Sequence, residues 1–262
     1  APENVLEQLI TDESGQTEVV ELSAPNIAYS LEPQQPRPYT DYNITVTAPG
    51  YEPVSIVGSE ILPDELSLQN VSMNPLETAG GEAEEDINIP EHTLYGEYPP
   101  KIPEEEIKID PESGEIVLSR VVIPEYIIVH DGLPSDTSAP NYYIRYKDYI
   151  KNVASSEIYA TWPESSIYAN ILAIQSFTLN RVYTEWYRAR GLPFTITSST
   201  AYDQKFIYGR NIYSNIGRLV DNIFANYLSR PGVQQPIFTS YCDGDRVTCQ
   251  GLSQWGSSYL GE

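Results

Sequence analysis

The sequence predicts an α+β protein: a small N-terminal β-sandwich followed by a mixed α/β domain. Three observations carry that expectation. Short alternating segments broken by Pro and Gly fill residues 1–77. An acidic, Pro-rich stretch over 78–105 reads as a linker. Three apolar stripes at helical spacing lie within 106–262, which is read as the mixed α/β domain.

In the first part, Thr17–Leu22 and Tyr42–Ala48 read as strands, and the second runs into Pro49-Gly50-Tyr51, a turn signal. Leu66-Ser67-Leu68 and Val71-Ser72-Met73 alternate as well. Tyr39-Thr40-Asp41-Tyr42 followed by Ala48-Pro49-Gly50-Tyr51 resembles the carboxypeptidase-regulatory type of sandwich, which implies no catalysis. Asn43 and Asn70 begin glycosylation sequons. In the linker, Gly80-Gly81-Glu82-Ala83-Glu84-Glu85-Asp86 and Pro99-Pro100 predict an extended chain open to proteases. Beyond it, Glu115–Leu118 and Tyr126–Val129 read as strands, and His130 ends the second.

Charge separates the halves. Of 37 acidic and 15 basic residues, positions 1–110 hold 23 and 3, a net of −20, and the rest a net of −2. A chain at −22 overall lacks the clustered Lys and Arg that a nucleic-acid partner requires. No stretch is long and apolar enough for a membrane span. The 21 tyrosines suit stacking against sugar rings and equally suit strand packing. Cys242 and Cys249 fit either a local disulfide or two free thiols. With only His92 and His130 elsewhere, neither a metal site nor a His-based triad is expected.

The first helix, Tyr146–Tyr159, has the stripe Tyr146, Tyr149, Ile150, Val153, Ala154 and Ile158. Glu157 sits in it, four residues after Val153. Lost hydration raises a carboxyl pKa, which suits a general acid. A Glu turned to water or paired with an Arg is the alternative. The second helix, Pro163–Arg190, is capped by Gly191, and Gln175 interrupts its stripe. The third, Ile212–Leu228, has no polar intruder.

These residues also carry a resemblance. Val153-Ala154-Ser155-Ser156-Glu157, then Trp162-Pro163, then Ser166–Phe177 resembles the signature of the stage II sporulation protein D (SpoIID/LytB) family, with the acid five residues before Trp-Pro. Gln204 with Tyr208-Gly209, and Ser253-Gln254-Trp255-Gly256, match further motifs, so the likeness spans about 120–262. Tyr168, Asn170, Gln175 and Phe177 replace the family's Lys, Gln, Arg and Tyr, and Cys249-Gln250-Gly251-Leu252 replaces its Gly-His-Gly. The helix Asn180–Tyr187 and Tyr241-Cys242-Asp243-Gly244 are similar to the spore cortex-lytic branch from clostridia.

The resemblance implies a secreted peptidoglycan lytic transglycosylase that degrades spore cortex during germination. It implies a zymogen released by an activating protease, with C-terminal binding modules beyond Glu262. No cofactor is implied. Glu157 would be the catalytic acid. Asn170, Gln175, Gln204, Tyr208, Tyr241, Gln254 and Trp255 would contact substrate. A muramidase-type hydrolase would need a second carboxylate, with Asp203, Asp243 and Asp245 as candidates. A non-catalytic peptidoglycan-binding or amidase-enhancing protein is the other alternative.

Overall fold

The computed structural model describes residues 4–76, 85–104 and 118–261. Both sheets and helices are present. β1 (Thr40–Val46) and β2 (Val54–Ile61) form an antiparallel hairpin. Its turn needs Gly50 at φ +83°, a conformation that a side chain would strain. β3 (Ser67–Leu68) is two residues long. β4 (Glu85–Asn88) adds to β2 in parallel and completes a sheet of order β1-β2-β4.

This corrects two expectations. Among the described residues the N-terminal part contains one three-stranded sheet and no second layer facing it, so it is not a sandwich. Thr17–Leu22 has the alternating pattern but no ladder partner, and Val71–Met73 forms no strand either. Val71 and Met73 instead pack on a small core of Val54, Ile56, Ile87, Ile89 and Ile207. The described part of the expected linker is also ordered. Ile87, Ile89, His92 and Leu94 are buried because the chain there passes through the interior. Of Glu115–Leu118, the first three residues lie outside the described residues.

β5 (Tyr126–His130) lies between β6 (Asn141–Arg145), which is antiparallel to it, and β7 (Ile196–Thr197), which is parallel. His130 does end β5, where its ring bonds Asn141 and the Leu133 carbonyl. α1 (Tyr146–Glu157) and α2 (Glu164–Tyr183) follow. The second helix stops short of Arg190 because Glu185 takes a left-handed φ of 44°. A 3₁₀ turn, Arg188–Arg190, then ends on Gly191 at φ 78°. β8 (Ile212–Tyr213) pairs with β3 and leads into α3 (Ser214–Ile223). β9 (Tyr241–Cys242) and β10 (Leu252–Ser253) are parallel, and α4 (Gln254–Gly261) follows directly.

The main core gathers Tyr149 and Val153 of α1, Ile171 and Phe177 of α2, Val220 of α3 and Val129 of β5. Tyr39, Leu62 and Leu94 enter it from the N-terminal half. A buried ion pair, Glu60 with Arg210 at 3.1 Å, joins β2 to the segment before β8. Cys242 and Cys249 are disulfide-bonded, which closes the loop between β9 and β10. Among the described residues no helix is long and apolar enough to cross a membrane.

Candidate active site

Glu157 is the last residue of α1. The helix ends because Ile158 turns extended, at φ −135° and ψ 153°, and the chain then swings through Trp162-Pro163 into α2. The stripe that seats Val153 and Ala154 in the core therefore carries Glu157 inward as well. Its side chain is 6% exposed. Oε1 accepts the Lys205 backbone N–H at 2.8 Å, while Oε2 is buried with no hydrogen-bond partner of good geometry. Burial pushes the carboxyl pKa above the ordinary carboxylate range. The Lys205 N–H, the Lys101 ammonium and the Tyr241 hydroxyl oppose that rise.

Tyr241 comes from β9, which the disulfide loop holds beside the end of α1. Its hydroxyl accepts from Gln204 Nε2 at 3.0 Å, so its own proton is free to point at the Glu157 carboxyl that it neighbours. Gln204 is fully enclosed. Its Oε1 accepts from Tyr149 and Thr178 at 3.1 and 2.8 Å, and its amide also donates to the Ile174 carbonyl. Nothing of Gln204 is left for a ligand. It positions Tyr241, which corrects its expected role as a substrate contact.

Asn170 and Gln175 spend their amide hydrogens inside the protein, while Asn170 Oδ1 and Gln175 Oε1 are buried without a partner. Asn170 donates to the Ser166 carbonyl and to Ser257 Oγ, tying α2 to α4. Gln175 donates to the Ile223 and Asn226 carbonyls at 3.0 and 2.6 Å, closing the C-terminal end of α3. Both side chains are at most 1% exposed. Gln254 reaches the backbone carbonyl of Glu157 at 3.3 Å, and so holds α4 against the end of α1. Trp255 packs on Trp162 and Tyr159, with ring centres 5.0 and 5.9 Å apart. Tyr208 is half-buried and stacks on Tyr142 at 4.3 Å.

None of the three candidate second carboxylates is free. Asp203 is 1% exposed and accepts from Arg181 Nε, the Tyr187 hydroxyl and both the N–H and hydroxyl of Thr197. Asp243 is bonded to Arg246, and Asp245 to Gln34, in the disulfide loop. Among the described residues, no group of three or more His, Cys, Asp or Glu side chains could hold a metal ion.

The sequence reading missed Lys101. It lies in the supposed linker, where composition pointed to solvent. Its ammonium sits 4.2 Å from the Phe177 ring centre and 5.2 Å from that of Tyr241. Burial pushes its pKa down to about 8, against the pull of Glu157 and Asp203. The segment is strapped down on both sides of it. Ile102 N–H bonds the Ala201 carbonyl at 2.7 Å, and Glu104 takes two bonds from the buried Arg181. Upstream, Arg246 donates to the Thr93 and Gly96 carbonyls. The signal available in the sequence was that Lys101 is one of three basic residues among the first 110.

Comparison of the chain with protein-family models, curated proteins and solved structures found no match.

Proposed function

We propose that the chain is a peptidoglycan lytic transglycosylase, acting outside the cell on spore cortex or cell-wall glycan strands. The observation that carries this reading is the buried Glu157 carboxyl, whose Oε2 has no hydrogen-bond partner of good geometry, beside the Tyr241 hydroxyl that Gln204 holds from behind. Protonated Glu157 donates to the glycosidic oxygen between N-acetylmuramic acid and N-acetylglucosamine. The C1–O bond breaks through an oxocarbenium-like state. The muramoyl 6-hydroxyl then closes on C1 and returns its proton to the Glu157 carboxylate, leaving a 1,6-anhydro end. One group acts first as acid and then as base. The saturation of Asp203 favours this over hydrolysis by a carboxylate pair.

The strap through Lys101 supports a stored, inactive form. A glycan reaching Glu157 must displace the Lys101 side chain from Phe177 and Tyr241. The ammonium also favours ionised Glu157, which is the wrong form for donating a proton. A protease that frees the strap is the activating partner this implies.

The test is digestion of purified peptidoglycan with the protease-treated chain, read by mass spectrometry of the soluble products. Anhydro-muramoyl ends are expected. Reducing ends would mean a hydrolase, and binding without release would mean a non-catalytic wall protein.

A further inference from the structure

A concave site lies beside Trp255. It is a cavity of about 160 Å³ between the irregular segment 29–38 and the start of α4. Four aromatic side chains line it: Tyr29, Tyr95, Tyr159 and Trp255. Glu32, Asp245 and Arg246 supply its charges, and the amides of Gln34 and Gln35 line it as well. The space is smaller than the ~300 Å³ at which drug-sized sites begin, so it suits one small group.

The charges choose the kind of group. Arg246 faces the cavity, but it is paired with Asp243 and donates to the carbonyls of Thr93 and Gly96. Glu32 is in no ion pair among the described residues, and Asp245 receives only the neutral amide of Gln34. With Arg246 offset by Asp243, the balance at the cavity is two negative charges. An anion is disfavoured there. The Tyr159 side chain is 2% exposed and lines the cavity. Aromatic walls with carboxylates at the edge are the physical recipe for an organic cation, because ring faces attract a desolvated ammonium.

We infer that this cavity binds a primary ammonium group on a short alkyl chain, such as a lysine-type side chain or the free amine of a wall peptide. The rings of Tyr95 and Trp255 cover the alkyl part, and Glu32 and Asp245 take the charge. The site needs no catalysis at Glu157, so a chain that cut no glycan would still bind the amine.

Calorimetric titration of the full chain with n-butylamine hydrochloride, n-butanol and N-acetylglucosamine tests it. Saturable binding of butylammonium is expected, with none for butanol and with affinity falling as salt rises. Glu32→Gln with Asp245→Asn should weaken the amine about tenfold at an unchanged thermal midpoint. Tyr95→Leu, at a residue 39% exposed, should weaken it while leaving the fold intact. Equal binding of butanol, tighter binding of the sugar, unchanged affinity in the double variant or no binding at all would each overturn the inference.

Discussion

The ends of α1 and the middle of α2 each bury one polar side chain in an apolar stripe, and the two have opposite fates. Gln175 spends both amide hydrogens on carbonyls at the end of α3, as a structural bolt does, and its Oε1 is buried without a partner. Glu157 receives one backbone N–H and keeps its second oxygen unpartnered. From the sequence they look alike. What separates them is which neighbour meets the side chain: a helix terminus with carbonyls to satisfy, or a tyrosine already held from behind by Gln204. A buried amide that caps a helix end stabilises; a buried carboxyl whose pKa is raised keeps a proton that it can donate.

The contrast can be broken most sharply by stability. Gln175→Ala should cost about 2 kcal/mol in urea unfolding, because two buried carbonyls lose their donor. Activity per folded molecule should not change. Glu157→Gln should leave the unfolding midpoint equal or higher, since it removes a buried carboxyl. Equal losses in both variants would erase the distinction.

Tyr241→Phe comes next. It should lower kcat about tenfold, roughly 1.4 kcal/mol of barrier, with the fold retained. It should also raise the alkaline limb of the pH–rate profile, because the hydroxyl lowers the Glu157 pKa. Lys101→Met acts in the same direction. The ammonium favours the carboxylate, so without it the carboxyl holds its proton to higher pH and the alkaline limb moves up. Activity before protease treatment should rise too. A limb that moved down would contradict the placement of Lys101.

A further prediction concerns another buried acid. Burial pushes the Glu60 pKa up to about 7 from 4.5, despite Arg210. The folded chain therefore holds that proton more tightly than the unfolded chain. The resulting stability is fully present below pH 4.5 and is lost as pH rises through about 7. Thermal midpoints of Glu60→Gln should lack this decline, relative to the parent chain, across that window.

Much of this was legible in the sequence where local pattern decides. The stripes of α1, α2 and α3 located the helices, and the stripe that predicted burial of Val153 left Glu157 open between burial and a place at the edge turned to water. The close spacing of Cys242 and Cys249 allowed the disulfide that forms. What was illegible depends on distant partners. Glu85–Asn88 reads as an acidic tract, yet it becomes a strand because β2 offers a parallel edge and Ile87 meets Ile207. Thr17–Leu22 has a strand's alternation and no edge to join. Lys101 carries no local signal, since its place on Phe177 and Tyr241 arises only when the strap is bound by Arg181 and Ala201. The roles of Asn170 and Gln204 turn on how many bonds the protein itself uses, which spacing does not reveal.

The most direct measurement is release of soluble muropeptides by Glu157→Gln beside the parent chain, both protease-treated and both confirmed folded. Loss of a general acid predicts a fall of about 10²–10⁴-fold, with no anhydro ends above background. Release at the parent rate would contradict the assignment of Glu157.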